Sequence, residues 1–421
     1  MNRSTVGRAS ALLTALALLV TACGDDDGGE EGGAPTAGGG TDTECDFEGD
    51  EIRVGTQVAT GPAVGEQFLD FVPGVRARLE MENEAGGIDG RTFTIVEREA
   101  QLDPTAVSQN ATELVEQEDI SALLSADPAQ PAAAQYLNEQ GVPVIGFAIN
   151  QVWGQFDNMT GYSGDTFPDV YMPPAPNSLF QMAVEDLGAT RLASFGFVQS
   201  EESMASAQNV ATSWELSGGE SGTTYEANFG ATDFTADAQR LGEDGIDAIA
   251  GSITRDSFIQ LVLAARQAGL DIAFAQSLTG YEETTLEQNG DELAGVYLSN
   301  PFAPFELELP GHQEFLDAMA EYSPDRPARQ QLAMVGYLSA DLLIESINAA
   351  GGCPTREAIL EGMLQVEGYD GRGLFEPWDV GAGQGTPQLC SWAVRVSEDG
   401  TAFEPQFDGE SQCTAVEDFQ R

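Results

Sequence analysis

The chain is 421 residues long with a formal net charge of −52, 69 acidic side chains standing against 17 basic ones, all of them arginine. So acidic a chain has no basic face to displace counterions from nucleic acid or anionic lipid, which excludes both as partners. The absence of lysine excludes a P-loop, a Schiff-base lysine and a Ser-Lys dyad, because each needs an ammonium at a defined point.

In chain order, Arg3 and Arg8 precede the apolar run Ala11 to Val20, which is too short for a span of roughly 20 residues but suits the h-region of a signal peptide. Val20-Thr21-Ala22-Cys23 then resembles the lipobox of bacterial lipoproteins. Residues 1–22 are read as a signal peptide and Cys23 as the lipidated N-terminus of an exported chain. From Cys23 to Asp50 the sequence is acidic, Gly-rich and poor in large apolar residues, a flexible tether. No run after residue 22 reads as long and apolar enough to cross a membrane. Cys45, Cys353, Cys390 and Cys413 remain, an even number that favours two disulfides in one of three pairings. A metal site is disfavoured, since no CxxC occurs and the sole histidine is His312.

The body alternates strand and helix. Ile52 to Gly55 reads as a strand, and Pro73 as the first residue of a helix stopped by Gly86-Gly87. Thr92 to Glu97 is a second strand, Pro104 opens a helix with Val107, Ala111, Leu114 and Val115 on one face, and Ile120 to Leu124 is a buried strand. A helix near Ala129 to Gln140 and a strand at Val142 to Ile145 close the first set. Gln151 to Pro176 is irregular, Pro-rich and aromatic. Trp153, Phe156, Tyr162, Phe167 and Tyr171 there are either aromatic walls of a cleft or a surface excursion packing its own rings, with Trp153 nearest a strand end.

A second βα set runs from helix Asn177 to Leu187 through strands at Arg191, Thr223, Ile246, Ile272 and Gly295, with helices at Glu201, Thr235 and Asp256 between them. Two such runs imply an α/β protein with two lobes, each a mainly parallel sheet flanked by helices. Helices through Gln331 to Ala350 and Thr355 to Leu364 follow, then two short strands turned at Asp399-Gly400. No nucleophile elbow or acid–base constellation appears. His312 lies at a helix start, where a capping or solvent-facing role is expected. Gly381 to Gly385 sits between a loop and a hairpin, the wrong place for a dinucleotide loop. No catalysis and no cofactor are expected.

Ile52-Arg53-Val54-Gly55, Thr60-Gly61-Pro62, Asn83 to Arg91 (NEAGGIDGR) and Leu102-Asp103-Pro104 closely resemble the opening of leucine/isoleucine/valine-type solute-binding proteins, the receptors of branched-chain amino acid ABC transporters. Glu139 to Ile145, Ala264 to Gly269 and the helix from Tyr337 continue the likeness. The resemblance implies a two-lobed type I periplasmic-binding fold with hinge crossovers, closing on one small ligand. It places lobe 1 at 51–172, lobe 2 at 173–300, a return to lobe 1 at 301–385, and a C-terminal hairpin and tail of lobe 2 at 386–421. Because a bond between lobes would obstruct closure, it also implies the pairs Cys45–Cys353 and Cys390–Cys413. A monomer is implied that meets the membrane only through its lipid, on the outer face of the cytoplasmic membrane, and hands a small polar solute to permease subunits. A sensor lipoprotein reporting to a membrane partner is the alternative, and a structural or adhesive lipoprotein the third reading.

Ligands of open α/β sheets sit beyond the strand C-termini, which selects Gln57, Thr60, Ser125, Ala126, Asp127, Ala148, Ile149, Asn150, Trp153, Ser200, Thr254, Thr279 and Tyr281. In amino-acid-binding members the loops matching Ser125 to Pro128 and Phe147 to Asn150 hold the ligand carboxylate. Here Ala126 and Ile149 stand where hydroxyls are expected, Asp127 brings a negative charge, and the acid expected near Leu278 or Thr279 is absent. An amide, a cation or a neutral ligand fits these residues better than leucine.

Self-repulsion at −52 opposes the compact state in dilute buffer, whereas at ~1 M salt the Debye length is about 3 Å. A salt-adapted protein follows. Its Tm, measured by calorimetry, is expected to rise continuously from dilute buffer to molar NaCl, and equal values at both ends would refute that expectation.

Overall fold

The computed structural model describes residues 45–61, 67–169 and 173–420. The signal segment, Cys23, most of the tether and Tyr171 lie outside them.

The first sheet is built from β1 (Glu51–Ala59), β2 (Thr92–Ala100), β3 (Ala122–Ala126), β4 (Val144–Gly146) and β5 (Met159–Gly161), in the spatial order β2-β1-β3-β4-β5. Every pairing is parallel. Helices α1 (Phe71–Glu84), α2 (Pro104–Glu116) and α3 (Pro131–Glu139) join successive strands and cover both faces, so β3 is buried at every position. At α2 the Asp103 carboxylate accepts the Thr105 N–H at 2.8 Å and Pro104 takes the first helical position. Its buried face is Val107, Ala111, Leu114 and Val115, as the spacing requires. Helix α1 begins at Phe71, two residues ahead of Pro73. The first-turn N–H groups have no intrahelical acceptor in any case, so proline is tolerated there without starting the helix.

The second sheet continues the pattern with α4 (Ser178–Glu185), β6 (Arg191–Phe197), α5 (Glu201–Leu216), β7 (Ser221–Ala227), α6 (Thr235–Glu243) and β8 (Ala248–Ser252). After α7 (Arg255–Gln267) come β9 (Phe274–Ser277), α8 (Glu283–Leu293) and β10 (Tyr297–Asn300). Parallel pairing runs β7-β6-β8-β9-β10. Helix α8 has no counterpart in the sequence reading, because it buries only Thr285, Gly290 and Leu293 and so shows almost no apolar period. Strand β5 was equally illegible: three residues inside an irregular stretch become a strand only through their ladder with β4.

The chain then returns to the first sheet through α9 (Pro310–Tyr322), α10 (Gln331–Ala349) and α11 (Arg356–Met363), and re-enters the second as β11 (Cys390–Val396), β12 (Phe403–Pro405) and β13 (Gln412–Cys413). Strand β11 runs antiparallel to β10, β12 and β13. The two disulfides are Cys45–Cys353 and Cys390–Cys413, the pairs the resemblance implied. The second bonds residues directly opposite in the β11–β13 ladder. Contrary to the sequence reading, α10 is long and apolar enough to span a membrane. It is instead a core helix, buried along nearly its whole length.

The packing of α10 on α1 is unusually close. A Cβ on Gly74 would stand 1.7 Å from the Ala333 carbonyl oxygen, and one on Gly336 would stand 2.0 Å from that of Phe71. Beside this crossing the buried Asp341 accepts from Arg78 Nε at 2.7 Å, Arg372 Nη1 at 3.1 Å and the Tyr369 hydroxyl at 3.3 Å. His312 caps α9 but does not face solvent: its Nδ1 accepts the Leu309 N–H at 3.1 Å, and its Nε2 lies 2.8 Å from the Ala303 carbonyl, which fixes the proton on Nε2.

Gly336→Ala gains about 1 kcal/mol of helix propensity, but overpacking costs about 1–3 kcal/mol and here backbone must move. With the added Cβ against the Phe71 carbonyl the upper end of that cost applies, and a net loss of about 2 kcal/mol is expected in urea unfolding; an unchanged midpoint would show that the helices have room.

Candidate functional site

The C-terminal ends of both parallel sheets face a cavity of about 520 Å³. The first sheet contributes the loop after β4, with Phe147, Ala148 and Ile149, and the segment after β5, with Tyr162 and Asp165. The second contributes Ser200 and Ser203 after β6, Ile253 and Thr254 after β8, and Leu278 and Thr279 after β9. Gln331, the first residue of α10, meets them from the returning chain, its Nε2 3.4 Å from the Leu278 carbonyl.

Of the residues selected from sequence, Ala148, Ile149, Ser200, Thr254 and Thr279 are brought together on this wall. Ser200 caps α5 by accepting the Ser203 N–H at 3.1 Å, and Thr254 stands at the cap of α7. The remainder are elsewhere. Gln57, Ser125, Ala126 and Asp127 are all fully buried. Gln57 and Ser125 both donate to Gln130 Oε1, at 3.2 and 2.8 Å, tying β1 and β3 to the start of α3. Asp127 accepts the Ala129 N–H at 2.8 Å, and burial pushes its carboxyl up to about 6. Thr60 extends the β1–β2 ladder through its N–H to the Ala100 carbonyl. Asn150 is buried and stands at the cap position of the short turn Gln151–Gly154, its Nδ2 3.4 Å from the Pro128 carbonyl.

Trp153, 1 % exposed, packs in the apolar core of the first sheet with Leu114, Val144 and Met159. Tyr281 is equally buried, its hydroxyl donating to Glu306 at 2.6 Å while accepting the Phe305 N–H at 2.6 Å. A strand end fixes where a loop emerges but not which of its successive side chains turns toward the cleft, and these residues took the other side.

Sequence reasoning missed the wall supplied by the C-terminal tail. Leu389, Trp392, Phe407 and Phe419 line the same cavity, together with Leu179 and Phe180 of α4. No local signal marks them; they arrive through the β11–β13 ladder and its disulfide. Of the aromatic cluster in Gln151 to Pro176, Tyr162 does line the cavity, whereas Trp153 is core and Phe167 stacks edge-on against Phe419 at 5.5 Å.

Asp165 joins two of the segments that cross between the sheets. Its Oδ1 accepts from Thr160 Oγ1 at 2.8 Å and the Gly161 N–H at 2.9 Å, its Oδ2 from the Gly385 N–H at 3.0 Å, and its own N–H donates to Thr386 at 2.9 Å. Burial nevertheless outweighs these bonds and pushes its carboxyl up to about 7.

Residues 51–401 match the periplasmic binding protein family. The chain belongs to that family. No curated protein matches it in sequence. Among solved structures, a branched-chain amino acid ABC transporter protein from Thermus thermophilus with bound valine is 16 % identical, with a TM-score of 0.73 over 87 % of this chain and 97 % of that one. The fatty acid ABC transporter substrate-binding protein from Thermomonospora curvata is 16 % identical, TM-score 0.71, over 87 % and 93 %. The branched-chain amino acid substrate-binding protein LivJ from Streptococcus pneumoniae, in complex with isoleucine, is 20 % identical, TM-score 0.70, over 84 % and 99 %. At these identities the likeness is one of fold, and this binding protein has the two-lobed type I architecture.

The raised pKa of Asp165 has a defined sign. Between the ordinary 3.8 and about 7 the native state keeps a proton that the unfolded chain has shed, so stability is fully present below about pH 4 and lost as pH rises through about 7. The stability of the wild type relative to Asp165→Asn is therefore expected to fall by up to about 4 kcal/mol between pH 4 and 8 in urea titrations. A difference independent of pH would show that Asp165 ionises normally.

Proposed function

We propose that this chain is the extracellular solute-binding component of an ABC importer, closing its two lobes on a small molecule and delivering it to permease subunits. One observation carries the reading: the cavity is walled by strand ends and helix starts of both sheets at once, so a ligand there is gripped only when the lobes are together. Three segments cross between the sheets, after β5, after β10 and before β11, an arrangement suited to hinge closure. Relatives of the same fold carry valine, isoleucine, 4-hydroxybenzoate or fatty acids by name, which supports transport of a small organic solute.

In this reading residues 1–22 are removed on export and Cys23 is lipidated, which tethers a monomeric receptor to the outer face of the cytoplasmic membrane. Lobe 1 comprises 51–172 with 301–385, and lobe 2 comprises 173–300 with 386–421. The bound molecule is held without covalent chemistry and without a cofactor.

Native mass spectrometry of the gently purified protein is expected to show a retained small molecule, and X-ray scattering a more compact particle with it than after its removal by unfolding and refolding. Ile149→Trp fills part of the cavity and is expected to weaken binding at least about 100-fold at nearly unchanged Tm, since one misplaced ring at a closed site costs several kcal/mol. Unaltered affinity in that variant would place the ligand elsewhere.

A further inference from the structure

The cavity is not a simple slot between lobes. From the cleft it continues into the second lobe as an arm bounded by Leu179, Phe180, Val210, Trp392, Phe407 and Phe419. The C-terminal tail roofs this arm, fixed by the Cys390–Cys413 bond and by the Gln420 N–H on the Pro174 carbonyl at 2.8 Å.

Charge is arranged against an anion. Among the described residues no arginine lines the cavity, and the chain has no lysine. Arg255, next to the lining Thr254, is turned to Asp256 at 2.8 Å and to Glu282. Of the helix starts at the cavity, α5 carries Glu201 and Glu202 and α7 carries Asp256, so the positive ends of these two dipoles are already matched. At α4 the Asn177 side-chain oxygen accepts the Leu179 and Phe180 N–H groups, and α10, entering through Gln331, brings no acid. Neither lining acid recommends a cation. Asp165 spends its oxygens on three protein donors, and half-exposed Glu202 accepts from Ser200 Oγ at 3.3 Å.

The polar wall is also largely self-satisfied. Ser203 Oγ accepts the Phe197 N–H at 2.8 Å and donates to the Ser252 carbonyl at 2.6 Å, and Gln276 Nε2 donates to Ser299 Oγ at 2.8 Å. Asn300 and Tyr162 differ. Asn300 lines the cavity and donates through Nδ2 to the Phe302 carbonyl, while its Oδ1 is buried without a donor among the described residues, and the hydroxyl of the lining Tyr162 is likewise buried without a partner among them. A ligand hydroxyl or amide, donor and acceptor at once, serves both groups, whereas a carboxylate serves only the Tyr162 hydroxyl and leaves the Asn300 oxygen unpaired.

We propose that the cleft selects an elongated, uncharged amphiphile, with a hydroxyl or amide head among the strand ends and an alkyl or aryl tail in the arm under the C-terminal tail. This rests on the solute-binding reading above and names its ligand class. A volume of about 520 Å³ lies within the range of about 300–1,000 Å³ found for small-molecule pockets and leaves room for an elongated ligand.

Isothermal titration of the intact protein, freed of retained ligand, with 1-butanol, 1-hexanol, 1-octanol and 1-decanol tests the arm. Affinity is expected to rise about fourfold per added methylene. 1-Decanol and decanamide are expected to bind at least tenfold more tightly than decanoate or decylammonium, and more tightly than L-isoleucine. Val210→Trp, filling the arm, is expected to abolish the chain-length dependence; the wild-type series decides the question if that variant fails to fold. Tighter binding of decanoate, decylammonium or L-isoleucine, or a flat chain-length series, would overturn the proposal and leave the solute-binding reading standing. Failure of every probe, with no retained molecule by native mass spectrometry, would overturn both.

Discussion

The crossing of α1 and α10 holds the rest of the structure in place. Gly74 and Gly336 let the two backbones approach to a distance no side chain would permit, and α10, buried along almost its full length, can then fill the first lobe. That contact brings the late chain back to the first sheet after it has built most of the second. The later crossovers follow from it. With α10 seated, Gln331 sits at the cleft, and the segment after α11 passes Asp165 on its way to β11.

Asp341 works at the same junction. A carboxylate taken fully out of water is costly unless paired, and here two guanidiniums, from α1 and from the segment after α11, meet it together with a tyrosine hydroxyl. The arrangement uses arginine where the chain has no lysine to offer, and a planar fork suits a buried carboxylate better than a point charge. Among the described residues most of the other acids are not buried, and salt screens them. The extreme composition thus concerns the solvent more than the fold.

The cavity shows a similar division of labour. Strand ends give it position, while neutral side chains give it character, most of them already bonded to one another. Part of its apolar wall comes from the C-terminal tail rather than from any βα loop. The tail is therefore part of the cavity wall as well as the closing piece of the second sheet.

From the chain alone the alternation of strands and amphipathic helices was legible, because apolar periodicity is a local consequence of burying one face, as at Val107, Ala111, Leu114 and Val115. The family's turn-rich block from Asn83 to Arg91 was legible for the same reason: Gly86, Gly87 and Gly90 all take positive φ, which is a requirement written in residue type. The loops at the cleft could be named, but only some of their side chains could be aimed. Ala148, Ile149, Ser200, Thr254 and Thr279 reach it, whereas Gln57, Asp127, Trp153 and Tyr281 turn into the lobes. Polar α8, three-residue β5 and the aromatic roof of the arm stayed hidden, since none has a local pattern of its own. Sequence determined which segments are strands, helices and turns, because that information lies within a few residues. Only the tertiary structure decided which side chains share a cavity, because that depends on rotations and returns of chain hundreds of residues apart.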